Sequence, residues 1–227
     1  YSGLERNISE LGRESDWTGI LHSLSLNLPR LSYDSSSDET YFRAKLAILL
    51  QLSVSALEAR RKILMDMMKK NLLPGLTSTT DLTSMEYMPL VINLVGLKNA
   101  INTLVGEKAN SSARKTVIQK IIETSVKVTS DNASKVGEIA GVAIIEEDSE
   151  KRFAKLDSSK YGKSVAAFDH NEYSYGQIPL MNIDDLSNQN YVEEERWLFQ
   201  NLNGGYFTKI QVPQGEDEDG IVEIIEK

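Results

Sequence analysis

Hydrophobic and polar positions change their period several times along the chain. Leu24, Leu26 and Leu28 alternate with Ser23, Ser25 and Asn27 in HSLSLNL, the two-residue repeat of a strand with one apolar and one polar face. That polar face meets either water or something that wants hydrogen bonds. After SYDSSSDETYF the repeat becomes helical: Phe42, Leu46, Leu49, Leu50, Leu57, Leu64 and Met68 recur at three, four and seven, with Glu58, Arg61, Lys62 and Asp66 between them. Ser36 and Glu39 have the spacing of a capping box, so the pattern predicts one helix from about Asp38 to Lys70. At 1.5 Å per residue it would run roughly 50 Å, which suits the flank of a body larger than a small domain. Asn71 and Leu73-Pro74-Gly75 end it, with glycine expected in the left-handed cap.

The polar connector TSTTDLTSMEYM leads to a short apolar run, Pro89 to Val95, which predicts a strand buried on both faces. Gly96 then opens a helix carrying Leu97, Ala100, Ile101 and Leu104. Asn110 or Ser111 can cap a further helix with an apolar stripe of Val117, Ile118, Ile121, Ile122 and Val126. GEIAGVAIIEE reads as a strand, and DSEKRFAKLD as a short helix with Phe153 and Leu156 inward. SSKYGKSVAAFDHNEYSYGQIPLMN is irregular and rich in tyrosine, YVEEERWLFQNL makes a last helix, and YFTKIQV alternates as one strand after the NGG turn. IVEII can pair back as a terminal strand. Strands separated by helices along most of the length predict an α/β architecture with parallel pairing. The four or five strands visible would make only part of a barrel.

With 227 residues and 41% hydrophobic content the chain has ample material for a core, and is treated as a single unit over 1–227. Its 33 acidic and 25 basic residues give a formal charge of −8, which argues against an electrostatic grip on nucleic acid. There is no apolar run long enough to span a membrane and no signal-peptide pattern, so the expectation is a cytoplasmic protein with no membrane partner. The absence of cysteine removes disulfides, thiolate metal sites and thiol chemistry. The chain opens on Tyr1 without a cap or strand of its own, which suggests a start inside a longer protein.

The local motifs carry little. Asp169, His170 and Glu172 have the ligand types of a metal site at crowded spacing, and a solvated loop is the alternative. NLVGLKNA has one glycine where a phosphate loop needs several, and Glu216 to Asp219 lack the calcium-loop pattern. Tyr161, Tyr173, Tyr175, Tyr191 and Tyr206 either line a ligand cleft or pack under loops.

Taken in order, the segments resemble the anaerobic, class III, glycyl-radical ribonucleoside triphosphate reductases, in the part between the catalytic cysteine and the radical glycine. WTGILHSLSLNLPRLSY is similar to the family's TG…NLPRI strand. ARRKILMDMMKKNLLPG, INLVGLKNAINTLVGE, SEKRFAKLDSSKYG and a Q-[IL]-P step before NGGYFTKI follow in the family's order, with NGG where TGG is usual.

The resemblance implies part of a ten-stranded α/β barrel, a half-barrel with long flanking helices. It implies deoxyribonucleotide synthesis for DNA replication by an oxidoreductase in which a glycyl radical generates a thiyl radical that attacks a ribonucleoside triphosphate. The catalytic cysteine would precede Tyr1. The glycyl radical and a structural zinc would belong to the parent chain beyond Lys227, and a radical-SAM enzyme would activate it.

Asn27 matches the asparagine the family places beside the substrate ribose, so Ser23, Ser25 and Asn27 are expected on the barrel interior, with the leucines against helices. Tyr173, Tyr175 and Gln177 fall in the loop expected to contact substrate. That loop departs from the family: HNEYSYGQIP stands where a YTNST-like sequence is usual. Two further readings stay open, a non-catalytic binding or assembly module on the same scaffold, and a glycyl-radical enzyme for a small acid or alcohol. A half-barrel would expose strand edges, which predicts a homo-oligomer.

Overall fold

Four parallel strands, His22–Asn27 (β1), Leu90–Val95 (β2), Ala140–Ile144 (β3) and Gly205–Tyr206 (β7), form the central sheet in their chain order. The computed structural model describes residues 20–77, 85, 88–106, 110–145, 149–162, 168–169, 172–173, 180–182, 189–206 and 209–211. Helices Leu28–Asp34 (α1), Glu39–Lys69 (α2) and Pro74–Thr77 (α3) lie between β1 and β2, and Leu97–Val105 (α4) and Ser111–Lys135 (α5) between β2 and β3. Ser149–Tyr161 (α6) and Gln189–Asn201 (α7) follow β3. Phe168–Asp169 (β4) and Glu172–Tyr173 (β5) make an antiparallel pair, and Leu180–Asn182 (β6) pairs in parallel with Lys209–Gln211 (β8).

Strand register explains the alternation in the sequence. Leu24, Leu26, Ile92, Leu94, Val142 and Ile144 share the face that carries the main core. Phe42, Leu46, Leu50 and Leu57 of α2 are fully buried in that core, and each contributes roughly 1.5–3 kcal/mol of gross burial energy. Ala100, Ile101 and Leu104 of α4 and Ile121 and Ile122 of α5 complete it. Ser23, Ser25 and Asn27 stand on the opposite face, in line with Val91, Asn93 and Val95 of β2. There Phe153 and Ala154 of α6 cluster with Val95. β2 is buried along its whole length, as its unbroken apolar run predicts.

Several element boundaries differ from the pattern reading. β1 stops at Asn27, so Leu28 opens α1 instead of continuing the strand, and it is buried there. The α2 cap is Asp38, which accepts from the Tyr41 backbone N–H at 2.9 Å. Ser36 and Ser37 hold left-handed turn geometry ahead of it, so Ser36 cannot form the predicted capping box. The left-handed residue after α2 is Asn71, at φ 55°, while Gly75 lies within α3. Leu156 is exposed, and the buried stripe of α6 runs through Phe153, Ala154 and Asp157. The predicted YFTKIQV strand serves two sheets as β7 and β8, and the tyrosine-rich segment includes β4, β5 and β6. The acidic turn and IVEII lie outside the described residues.

A buried guanidinium fastens the other edge of the sheet. Arg61 of α2 donates to the backbone carbonyls of Met85 and Met88, ahead of β2. Its Nε lies 2.8 Å from a carboxylate oxygen of Glu138, ahead of β3. Burial pushes the Glu138 carboxyl above its ordinary range, with Arg61 pulling it back.

Candidate functional site

The C-terminal ends of parallel strands are where α/β sheets expose unpaired backbone and loop side chains, and where they place ligands. Here that edge holds a polar cluster built on Asn27. The chain leaves β1 at Asn27 and turns at once into α1, whose first turn contains Pro29. Asn27 Oδ1 accepts from the Arg30 backbone N–H at 3.0 Å, which satisfies an otherwise open helix donor. Its Nδ2 donates to Asp157 Oδ2 at 2.7 Å.

Asp157 comes from α6, which follows β3, and its side chain is fully buried. Arg30 closes the cluster: Nε donates to Asp157 Oδ1 at 2.6 Å, and a terminal nitrogen lies 2.5 Å from the same oxygen. A carboxylate out of water is costly unless charged donors surround it. Arg30 supplies the charge and keeps about a third of its side chain exposed at 36%.

A second polar tie pins α6 to α1 one turn further on. The Tyr161 hydroxyl donates to Asp34, and its ring stands 5.3 Å from that of Tyr33. Lys160 Nζ donates to the Tyr161 hydroxyl at 2.6 Å. The Tyr161 hydrogen bond, with Lys160 and Lys45 nearby, holds the Asp34 carboxyl below its ordinary range against a smaller effect of burial.

Asn93, fully buried beside Ser25 in register, uses its amide to latch the end of β3. Its Nδ2 donates to the Ile145 carbonyl at 3.1 Å, and its Oδ1 accepts from the Ile145 N–H at 3.0 Å. At β7, Gly204 donates to the Val142 carbonyl at 2.8 Å and Asn203 Oδ1 accepts from the Val142 N–H at 2.9 Å. Any Cβ on Gly141 would lie 2.7 Å from Gly204 Cα, so both positions require glycine.

Of the residues predicted for the site, Ser25 and Asn27 share one face near the end of β1 and are half-buried. Tyr173 has its backbone in β5, which packs beside α6. Tyr175 and Gln177 lie outside the described residues, as does His170 between Asp169 and Glu172, which pair across β4 and β5. Tyr161 serves the tie between α6 and α1, and Tyr206 packs half-buried on the main core. Sequence reasoning missed Arg30 and Asp157. Their signals were a carboxylate on the Phe153 stripe of α6 and an arginine three residues after the capping asparagine.

Asn27 has one further amide N–H and one further oxygen lone pair beyond its bonds to Arg30 and Asp157 among the described residues. The arrangement offers a hydroxyl both an acceptor and a donor, fixed in direction by a half-buried ion pair. The chain contributes no thiol to this edge, because it contains no cysteine.

A sequence model of the family described as anaerobic ribonucleoside-triphosphate reductase matches residues 3–227. No curated protein matches the chain significantly. Among solved structures, the anaerobic ribonucleotide reductase from Thermotoga maritima with dATP bound in the specificity site is similar over 90% of this chain. It has 19% identity and a TM-score of 0.69. The same enzyme in complex with dATP and CTP covers 89%, at 18% identity and a TM-score of 0.66. A structure described as anaerobic ribonucleotide reductase covers 80%, at 17% identity and 0.65. The chain spans 35%, 34% and 30% of those three proteins respectively. At such identities the likeness concerns the fold.

Proposed function

The chain belongs to the anaerobic ribonucleoside-triphosphate reductase family, and from that premise we propose that it forms part of the substrate-facing wall of such a reductase. The observation that carries the proposal is the placement of Asn27. It ends β1 on the polar face at the C-terminal edge of the parallel sheet, with hydrogen-bonding capacity left over. In this reading that capacity serves a ribose hydroxyl of a ribonucleoside triphosphate, flanked by Ser25 and the loop of Tyr173, Tyr175 and Gln177. Strands that follow chain order with the main helices on one face have the winding of a barrel wall, which supports assignment to half of a ten-stranded barrel.

The chain's own contribution is binding and orientation. Without cysteine it supplies neither a thiyl radical nor a thiolate zinc site. Those groups, the glycyl radical and the docking of a radical-SAM activating enzyme are assigned to other parts of a longer parent protein. That protein would assemble as an oligomer and act in the cytoplasm.

The test is turnover by the full-length protein. Under strict anaerobiosis, with its activating enzyme and a reductant, it should convert a ribonucleoside triphosphate to the deoxyribonucleotide, and residues 1–227 alone should not. A full-length protein with intact cysteine and glycine loops that stays inactive would instead support the binding-module reading. The departure of HNEYSYGQIP from the family pattern is the observation that favours that second reading.

A further inference from the structure

We propose that Asp157 is the positioning residue that fixes which way round the Asn27 amide is presented at the strand ends, and so sets how strongly the site selects a sugar hydroxyl. The inference rests on the reading of Asn27 as a ribose contact and adds a residue to it. An asparagine amide can turn by half a revolution with little change of shape, exchanging its donor and acceptor. A contact that must both donate to and accept from a hydroxyl therefore needs something to choose the orientation.

Two neighbours make that choice here. The Arg30 backbone N–H requires an acceptor and meets Asn27 Oδ1 at 3.0 Å. Asp157 Oδ2 requires a donor and meets Nδ2 at 2.7 Å. A flipped amide would set two N–H groups against each other and an oxygen against a carboxylate. The carboxylate matters more than a neutral acceptor would, because it cannot itself turn to donate while ionised. Arg30 contacts Oδ1 twice, at 2.6 and 2.5 Å, and Oδ2 meets Asn27.

Asp157 is fully buried in α6, so it acts on a ligand through the groups it holds, and Asn27 is the one at the strand end. α6 is also held by Phe153 and Ala154 against Val95 and by Tyr161 against Asp34, so Asp157 is one of several ties of this helix.

The experiment uses the full-length protein and equilibrium binding of the four ribonucleoside triphosphates, each against its 2′-deoxy and 3′-deoxy counterparts. No radical is needed. Asn27→Ala should lower the larger of the two discrimination ratios by about tenfold, the equivalent of one hydrogen bond. Asp157→Asn, close in shape, should lower the same ratio by at least about threefold. The double variant should be no worse than Asn27→Ala alone, because in this proposal Asp157 acts through Asn27.

If Asp157→Asn does not fold, Arg30→Met should move the ratio in the same direction by removing the charge that orients the carboxylate. A ratio unchanged in the Asp157 variant while Asn27→Ala lowers it, or losses that add in the double variant, would overturn the inference and leave the Asn27 reading standing. No change with Asn27→Ala would overturn that reading first.

Discussion

Replacing Arg61 by methionine tests whether the entry side of the sheet is held by one side chain. Methionine keeps most of the stem, which shares the buried stripe of α2 with Leu57 and Met65, but removes three polar contacts at once. The Met85 and Met88 carbonyls lose their guanidinium donors, and Glu138 loses its counter-ion. The two side chains of the ion pair are only 7% and 10% exposed, so water replaces little of what is lost. Removing one partner of a buried pair costs about 3–5 kcal/mol, and charge-assisted bonds to carbonyls contribute about 1.5–3 kcal/mol each before relaxation. Arg61→Met should therefore lose about 3–5 kcal/mol in urea unfolding followed by circular dichroism. The loss should shrink as pH falls, because burial already raises Glu138 and losing Arg61 raises it further. The folded variant then binds a proton that the unfolded chain releases, and stability increases toward acid. Arg61→Met/Glu138→Leu should recover much of the deficit. A single-variant loss below about 1 kcal/mol, independent of pH, would show that the guanidinium does not hold these loops.

Two other perturbations probe the sheet. Gly141→Ala places a Cβ against the Gly204 backbone, and the overlap should cost about 1–3 kcal/mol or more. Hydrogen exchange should then be faster at Gly204, whose N–H bonds the Val142 carbonyl, and unchanged exchange would contradict that close approach. His22 lies below its ordinary pKa of 6.5 through burial, aided by Arg60 and Arg61. Its folded pKa is the lower one, so the unfolded state binds more protons in that window, and stability should fall as pH drops through 6.5. His22→Gln should flatten that slope in denaturant melts at pH 7.5 to 5.5, chosen as about one unit either side of the ordinary value.

The apolar skeleton was legible because burial writes directly into local periodicity. Leu24 and Leu26 against Ser23 and Ser25, the unbroken run of β2 and the stripe of α2 each carry their environment in their spacing. Asn27 could be singled out, on resemblance, as a site residue, but what holds it could not. Asp157 is 130 positions away in sequence and Arg30 joins it only after α6 packs on the strand ends. A carboxylate in SEKRFAKLD reads locally as solvated, and only the three-residue step from Ala154 marks it as inward. The caps went astray for a related reason: Ser36 has the right spacing, but Asp38 lies nearer the first turn and takes the same role. The last alternating run splits between two sheets because partner choice is a tertiary property that a period of two does not encode.

The most direct measurement is a crystal structure of the full-length protein with a ribonucleoside triphosphate. The account predicts a sugar hydroxyl within hydrogen-bond distance, about 3 Å, of the Asn27 amide, with Nδ2 still directed at Asp157. A nucleotide bound in a catalytic cleft that β1 does not line, with Asn27 turned toward solvent, would contradict it.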